Sequence, residues 1–265
     1  MSAMEKIPDP DLELILRRIA DGDGTQKYRT SFLVRRIEHR MRAKKIQSYR
    51  EYDRLLSSDP KEYVELTSLF SVTVTEFFRD IELFELLKSN ILPSLSNEIK
   101  IWCAGCATGE EPYSVAIVAS ELQRISGQRI SILATDINPD SIMVATAGIY
   151  EEKSLKNMPA ELKAKYFRKV GENSWQVDSK IRDSVVYNVN DLDKSAPPAS
   201  DLDVILCRNV MIYFDSGSRE RLLQKFYDAL KPKGYFVMGQ SEIMMGRAFS
   251  LFKTVYPKER VYQRA

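Results

Sequence analysis

From Leu12 onward, apolar residues recur at intervals of three and four, and the polar residues between them fall on the opposite face, which is the period of an amphipathic helix. Asp9-Pro10-Asp11 opens a first helix through Leu12, Ile15, Leu16 and Ile19, and Asp21-Gly22-Asp23-Gly24 stops it. A second is predicted over about residues 31–44. A third starts after Ser48, with Glu51 placed for a capping box. Pro60 opens a fourth through Tyr63, Leu66 and Leu69. No strand pattern interrupts them, so residues 1–75 read as a small all-helical domain.

Beyond Val72 the pattern changes. VTVTEFFRD is β-branched and aromatic, and an amphipathic helix through Leu83, Phe84 and Leu87 follows it to Pro93. Short apolar runs then alternate with helical segments: strands at 99–103, 130–135, 185–188, 203–207 and 235–238, and helices over about 111–125, 139–147 and 218–230. Such alternation predicts a mostly parallel sheet covered on both faces. Two late strands, near 250–254 and 260–263, have no helix between them and predict an antiparallel edge pair. Over about 151–184 the alternation breaks into a helical piece (161–167) and a weak hairpin, 168–170 with 175–177, turning at Gly171-Glu172-Asn173. This reads as a small β insertion within a second domain, 76–265.

A chain of 265 residues with 44% hydrophobic and 29% charged residues has the make-up of a globular protein with one large or two smaller domains. Three cysteines and one histidine argue against a disulfide framework and against a structural zinc cluster, so no metal site is expected and a cytoplasmic setting is. There is no secretory signal pattern, and no apolar run approaches the ~18 residues of a membrane span. The net charge of +2 is uninformative, but its distribution is uneven. Between Arg17 and Arg54, 12 Lys or Arg face five Asp or Glu, and Arg36, Arg40 and Lys44 share one face of the second predicted helix. That face suits an acidic partner, either nucleic acid or an acidic protein helix, and a solvated charged face would look the same.

The candidate chemistry begins at IKIWCAGCATGEEPYSVAIVA (99–119), which reads as strand, tight loop and helix. Gly105 and Gly109 allow close backbone approach to a ligand, and the following helix turns its positive end to the same place. The spacing G-x-x-x-G is neither a dinucleotide fingerprint nor a P-loop, and Glu110 and Glu111 would repel a pyrophosphate. A sulfonium carrying a ribose, S-adenosylmethionine, fits better; an ordinary turn capped by Thr108 is the alternative. Cys103-x-x-Cys106 has redox spacing but sits in this loop. In an open α/β sheet the ligand lies at the carboxyl ends of the strands, which draws in Asp136, Asn190-Asp191 and Arg208-Asn209. Asp136, after the second strand, is where a carboxylate accepts from a ribose diol; it could also merely help Asn138 cap the next helix.

VTVTEFFRD, IWCAGCATGEEPYS, ATDINPDSI, DVILCRNVMIYFD and LKPKGYFVMGQSE, in this order and spacing, resemble the CheR-type methyltransferases of bacterial chemotaxis receptors, over nearly the whole chain. The resemblance implies a Rossmann-like class I S-adenosylmethionine-dependent α/β fold with an all-α N-terminal domain and a small antiparallel β insertion. It implies methyl transfer to receptor glutamate γ-carboxylates, giving methyl esters. Position by position it implies cofactor contacts at Thr73, Thr75, Arg79, Glu111, Asp136, Asn190, Asp191, Cys207, Arg208 and Asn209, with Arg79 and Tyr213 near the acceptor carboxylate. Thr73 stands where the family often has asparagine.

The chemistry agrees with that implication. A glutamate with a pKa of about 4.3 is already a nucleophile at neutral pH, so no general base is needed and His39 requires no catalytic role. Arg36, Arg40, Arg42 and Lys44 become candidate contacts to the acidic cytoplasmic helices of the receptors. The 168–182 segment lacks a glycine-rich extension, from which we expect an enzyme independent of a receptor C-terminal pentapeptide tether. Nucleic-acid methylation is the competing reading, but CRNVMIY stands where amino-methylating enzymes carry [ND]-P-P-[YFW], so no nucleic-acid partner is expected. A cofactor-binding scaffold without turnover would not need Arg79, Asp136 and Tyr213 together.

Overall fold

The computed structural model describes residues 9–23, 27–70 and 75–265, and the chain divides into two compact units. One is Met1–Val72 with Tyr213–Arg219, the other Thr73–Ile212 with Glu220–Ala265. The first holds α1 (Pro10–Asp23), α2 (Thr30–Ala43), α3 (Tyr49–Ser58) and α4 (Pro60–Ser68), close to the predicted helices. Their starts follow local chemistry. Asp9 accepts from the Asp11 amide at 2.8 Å, Ser48 from Glu51 at 3.3 Å, and Asp59 from Lys61 at 3.0 Å ahead of Pro60. The apolar stripes meet in one core of Leu12, Ile15, Ile19, Phe32, Ile37, Met41, Tyr52, Leu56, Leu66 and Phe70.

In the second unit α5 (Ile81–Leu86) runs on through a wider π turn (Leu87–Ile91) and ends in a tighter 3-10 turn (Leu92–Ser94) that contains Pro93. There follow β1 (Glu98–Ala104), α6 (Glu110–Ser126), β2 (Arg129–Asp136) and α7 (Pro139–Ala147). The insertion contributes β3 (Ile149–Glu151), α8 (Ala160–Tyr166), β4 (Phe167–Lys169), β5 (Ser174–Val177) and α9 (Ser179–Arg182). Then come β6 (Val185–Val189), β7 (Leu202–Cys207), α10 (Ser216–Ala229), β8 (Leu230–Met238), α11 (Ala248–Leu251), β9 (Phe252–Tyr256) and β10 (Val261–Arg264).

Seven strands form one sheet in the order β6-β2-β1-β7-β8-β10-β9. β6, β2, β1, β7 and β8 are parallel; β10 runs antiparallel between β8 and β9, so the expected late pair is present with β9, not the last strand, at the edge. β7 is buried at all its positions and β1 from Ile101 on, as central strands covered on both faces must be. The chain leaves β1 in one direction to β2 and β6 and returns for β7 and β8 on the other side. The switch point therefore lies between β1 and β7, and a crevice opens beyond their carboxyl ends. The predicted hairpin is present as β4 and β5, and a third strand, β3, extends it in the order β3-β5-β4. β3 is only three residues long and follows Gly148 directly, too short to carry a periodic signal. Among the described residues no helix is long and apolar enough to cross a membrane.

Candidate active site

Beyond β1 the chain bends through Gly105 (φ +78°) and Gly109 (φ +95°). A Cβ at Gly105 would lie 2.5 Å from Val210, and one at Gly109 within 2.9 Å of Ala145, Tyr150 and Tyr187. The glycines are thus demanded by backbone angle and by neighbouring protein, a different reason from the ligand approach expected of them. The loop amides are also largely committed. Gly105 and Cys106 donate to the Thr135 carbonyl at 2.7 and 2.9 Å, Gly109 to the Cys106 carbonyl at 3.0 Å, and Ala107 to the Asp136 carboxylate at 2.8 Å. A loop whose amides are spent internally is no phosphate cradle, in keeping with the acids that follow it. Thr108 does not cap α6; Gly109 occupies that position, and the Thr108 hydroxyl binds the buried Glu110 carboxylate at 2.6 Å.

At the end of β2, Asp136 accepts from Ala107 N through Oδ2 and from Asn138 N through Oδ1, at 2.8 and 2.9 Å. Burial pushes its pKa up against the pull of these amides. A carboxylate has room for about four hydrogen bonds, so Asp136 retains capacity for a diol. Asn138 caps α7 with its own side chain, accepting from Asp140 N at 2.9 Å, and Asp136 is not needed for that. Ile137, next to it, is 38% exposed. One strand over, Asn190 donates from its backbone to the Asp136 carbonyl at 2.9 Å and from its side chain to Ala196 at 3.2 Å. Its buried Oδ1 has no partner among the described residues. Asp191, which follows it, accepts from Asp193 N at 3.0 Å.

A third group joins β7 to the FFRD segment. Arg208, its side chain 3% exposed, donates to Glu111 Oε2 at 2.9 Å, to the Arg79 carbonyl at 3.1 Å and to Asp80. Glu111 and Arg208, expected as separate ligand contacts, therefore form one ion pair. Burial raises the Glu111 pKa and the Arg208 charge opposes it. Around this pair lie four non-glycine residues in left-handed backbone: Phe78 (φ +52°), Asp80 (+61°), Ala107 (+46°) and Asn209 (+60°). Such conformations cost of order 1–3 kcal/mol each and cluster at functional sites. Arg79 sits half-buried between two of them, and its guanidinium makes no hydrogen bond or ion pair with any described residue. Thr75 is half-buried just upstream; Thr73 lies outside the described residues; Cys207 is wholly buried at the end of β7.

Sequence reasoning passed over three residues here. Ile137 carries only the signal of an apolar residue left exposed beside Asp136. Tyr150 of β3 donates to the Thr108 carbonyl at 2.6 Å. Glu242 is buried and accepts from Gly239, Asn209, Val210 and Met211; it closes the motif LKPKGYFVMGQSE, which gives it no role of its own.

The remaining predicted residues belong to the helical unit. Tyr213 is grouped there and not with the sheet: its ring lies 4.8 Å from that of Phe32, and its carbonyl accepts from Arg29 N at 2.8 Å. Of the four basic candidates, Arg40 turns inward. Its guanidinium grips both oxygens of the buried Glu62 carboxylate, at 2.8 and 2.5 Å, and Lys44 reaches the same carboxylate at 2.9 Å. Arg36 lies over the Phe32 ring and Arg42 is exposed.

A sheet in this order with one antiparallel strand, a strand-to-helix loop without an amide cradle, and an acid at the next strand end define a class I S-adenosylmethionine-dependent methyltransferase. The comparisons carry this to the family. Residues 73–259 match the model of the CheR methyltransferase, SAM binding domain, and residues 25–71 that of the CheR methyltransferase, all-alpha domain. A chemotaxis protein methyltransferase of Borreliella burgdorferi is 35% identical over 80% of this chain and 79% of its own. Chemotaxis protein methyltransferase 2 of Pseudomonas aeruginosa is 34% identical over 83% and 81%. The chain belongs to the CheR methyltransferase family, and its cofactor is S-adenosylmethionine.

Proposed function

We propose that this chain methylates glutamate γ-carboxylates of chemotaxis receptors. The observation that carries the reading is Arg79, half-buried beside the Arg208–Glu111 pair, its charge acting on Glu111 while its guanidinium makes no hydrogen bond or ion pair with a described residue, in a family whose relatives are chemotaxis methyltransferases. When bound, S-adenosylmethionine would supply a methyl group on a positively charged sulfur: as a carboxylate oxygen takes it to form the ester, the sulfur–methyl bond breaks and the neutral thioether S-adenosylhomocysteine leaves, with no base required.

The residues present fit that cofactor. Asp136 has acceptor capacity for the ribose hydroxyls, Ile137 offers an apolar face to a flat ring, and Asn190 Oδ1 is a buried acceptor awaiting an N–H donor. Asp191, Thr75, Thr73, Asn209 and the backbone at Cys207 complete the proposed contacts. Glu111 lends negative charge near a cationic ligand, and Arg208 holds it in place.

Arg79 binds a carboxylate in a two-pronged grip and orients it. A role for the Tyr213 hydroxyl at the acceptor is proposed from the family resemblance alone. Since the acceptor is already ionised, positioning is the main contribution these residues make, and proximity supplies on the order of 7–11 kcal/mol in favourable cases. Of the four basic candidates, Arg36 and Arg42 are not engaged with Glu62 and are proposed to meet an acidic receptor helix; Arg40 and Lys44 reach it only in addition to Glu62. The short turn between β4 and β5 supports methylation without a pentapeptide tether. The experiment is binding of a receptor C-terminal pentapeptide by calorimetry, alongside methylation of receptor fragments with and without it. No binding and equal rates are expected; tight binding overturns tether independence.

A further inference from the structure

The segment after β7 makes up one wall of the crevice, yet residues 208–210 are irregular and only a single short 3-10 turn, Met211–Tyr213, follows them. Arg208 reaches Glu111 and Asp80, Val210 presses on Gly105, and Asn209 between them is in left-handed backbone. Three successive amides, Asn209, Val210 and Met211, converge on one side chain. Glu242 accepts from Asn209 N through Oε2 at 3.0 Å and from Val210 N and Met211 N through Oε1 at 3.1 and 2.8 Å. Its fourth bond is from Gly239 N to Oε2 at 2.7 Å, which folds its own turn onto the same point. Converging amides of this kind form an anion-binding concavity, and here the anion is built into the chain. The fit is tight: a Cβ at Gly239 would lie 2.7 Å from Asn209 N and 2.9 Å from its side-chain amide.

Glu242 is 3% exposed and both its oxygens are occupied by these four amides, so any effect on the cofactor passes through the loop it holds. We propose that Glu242 is a positioning residue for the cofactor site, acting through the backbone of residues 209–211. It fixes Asn209 in the conformation that sets Arg208 against Glu111 on one side and Val210 against Gly105 on the other. The inference rests on the assignment of the Cys207–Asn209 segment to the cofactor. Its consequence is specific: loosening the loop weakens cofactor binding more than it lowers the rate once cofactor is bound.

Glu242→Gln separates shape from charge. The amide keeps an acceptor toward one pair of N–H groups and turns an NH2 donor toward the other, leaving two donors facing a donor. S-adenosylmethionine binding is measured by calorimetry, with methyl transfer to a receptor cytoplasmic fragment, for wild type, E242Q and Leu122→Ala, a core truncation away from the loop that serves as a destabilised control. In E242Q the cofactor Kd and KM rise on the order of tenfold while kcat at saturating cofactor stays within about threefold; in the control the Kd stays within about twofold. Should E242Q fail to fold, Glu242→Asp, with the charge one methylene short, is read in the same way. A cofactor Kd within twofold of wild type in the folded variant, or a fall in kcat at unchanged KM, overturns the inference. Wild-type protein that binds S-adenosylmethionine without methylating the receptor fragment would overturn the proposed substrate and leave the Kd comparison intact.

Discussion

Each unit of this protein buries an arginine against carboxylates, and the two clusters are built to opposite specifications. In the helical unit Glu62 is buried and saturated: Arg40 holds both its oxygens, Lys44 adds a second cation, and the Tyr52 hydroxyl donates at 2.8 Å. Burial alone would raise its pKa, but the hydrogen bonds from Arg40, Lys44 and Tyr52 win and bring it down to about 2. At the crevice, Arg208 leaves its Nε without a partner, Asn190 Oδ1 is equally bare, and Arg79 pairs with no described residue. There burial wins: the pKa values of Asp136 and Glu111 are raised. Glu62 favours the fold when ionised, whereas ionised Asp136 and Glu111 oppose it. A fully satisfied network holds helices together, and an incompletely satisfied, strained one waits for a ligand.

The comparison can be broken first at Arg79. Arg79→Ala is expected to lower methyl transfer a hundredfold or more while the melting temperature moves by no more than a few degrees, measured by transfer assay and thermal melt. Near-wild-type turnover would remove Arg79 from the site. Glu62→Ala should do the reverse, costing about 3–5 kcal/mol of stability in denaturant titrations by leaving Arg40 and Lys44 without their buried partner. Cofactor affinity of the folded fraction should not change.

A pH series sharpens the same contrast. The Glu62 pKa is depressed in the folded state, so its stabilisation is present above the unfolded value near 4.5 and is lost as pH falls through about 2. Wild type should therefore lose on the order of 3 kcal/mol relative to Glu62→Gln across that window. The raised carboxylates act in the opposite sense: what they contribute is present at low pH and lost as pH rises through their folded values. The smallest effects are expected on the surface of α2. Arg42→Ala should weaken receptor-fragment methylation several-fold and flatten its salt dependence without altering stability, whereas Arg40→Ala should destabilise the protein. Equal stability losses for the two would erase the distinction between an inward and an outward arginine.

Most of the architecture was legible because it is written in periodicity. The helices of the first unit, the alternation of the second and the hairpin of the insertion all follow from spacing and turn chemistry. The acid at the end of β2 and the loop after β7 were legible from their places at strand ends. Pairings between distant residues were not. Nothing local to Arg40 marks it as the partner of Glu62, 22 residues on, and nothing near Tyr213 or Phe214 shows that their rings pack with Tyr28 and Phe32. The grouping of residues 213–219 with the helical unit rests on those rings and not on chain order. Glu242 was hidden for the same reason, since its role lies in amides that any sequence would supply. The glycines were found for one reason and are needed for another: Val210 and three residues from elsewhere in the fold crowd them.

Arg79, without a hydrogen bond or ion pair to any described residue, is proposed to serve a carboxylate acceptor. The most direct test is to incubate the protein with methyl-labelled S-adenosylmethionine and a purified receptor cytoplasmic fragment, then treat the product with alkali. Label is expected on glutamate, released as volatile methanol, and lost when Arg79 is replaced. Label that is stable to alkali, or that appears on added RNA and not on the receptor fragment, would contradict it.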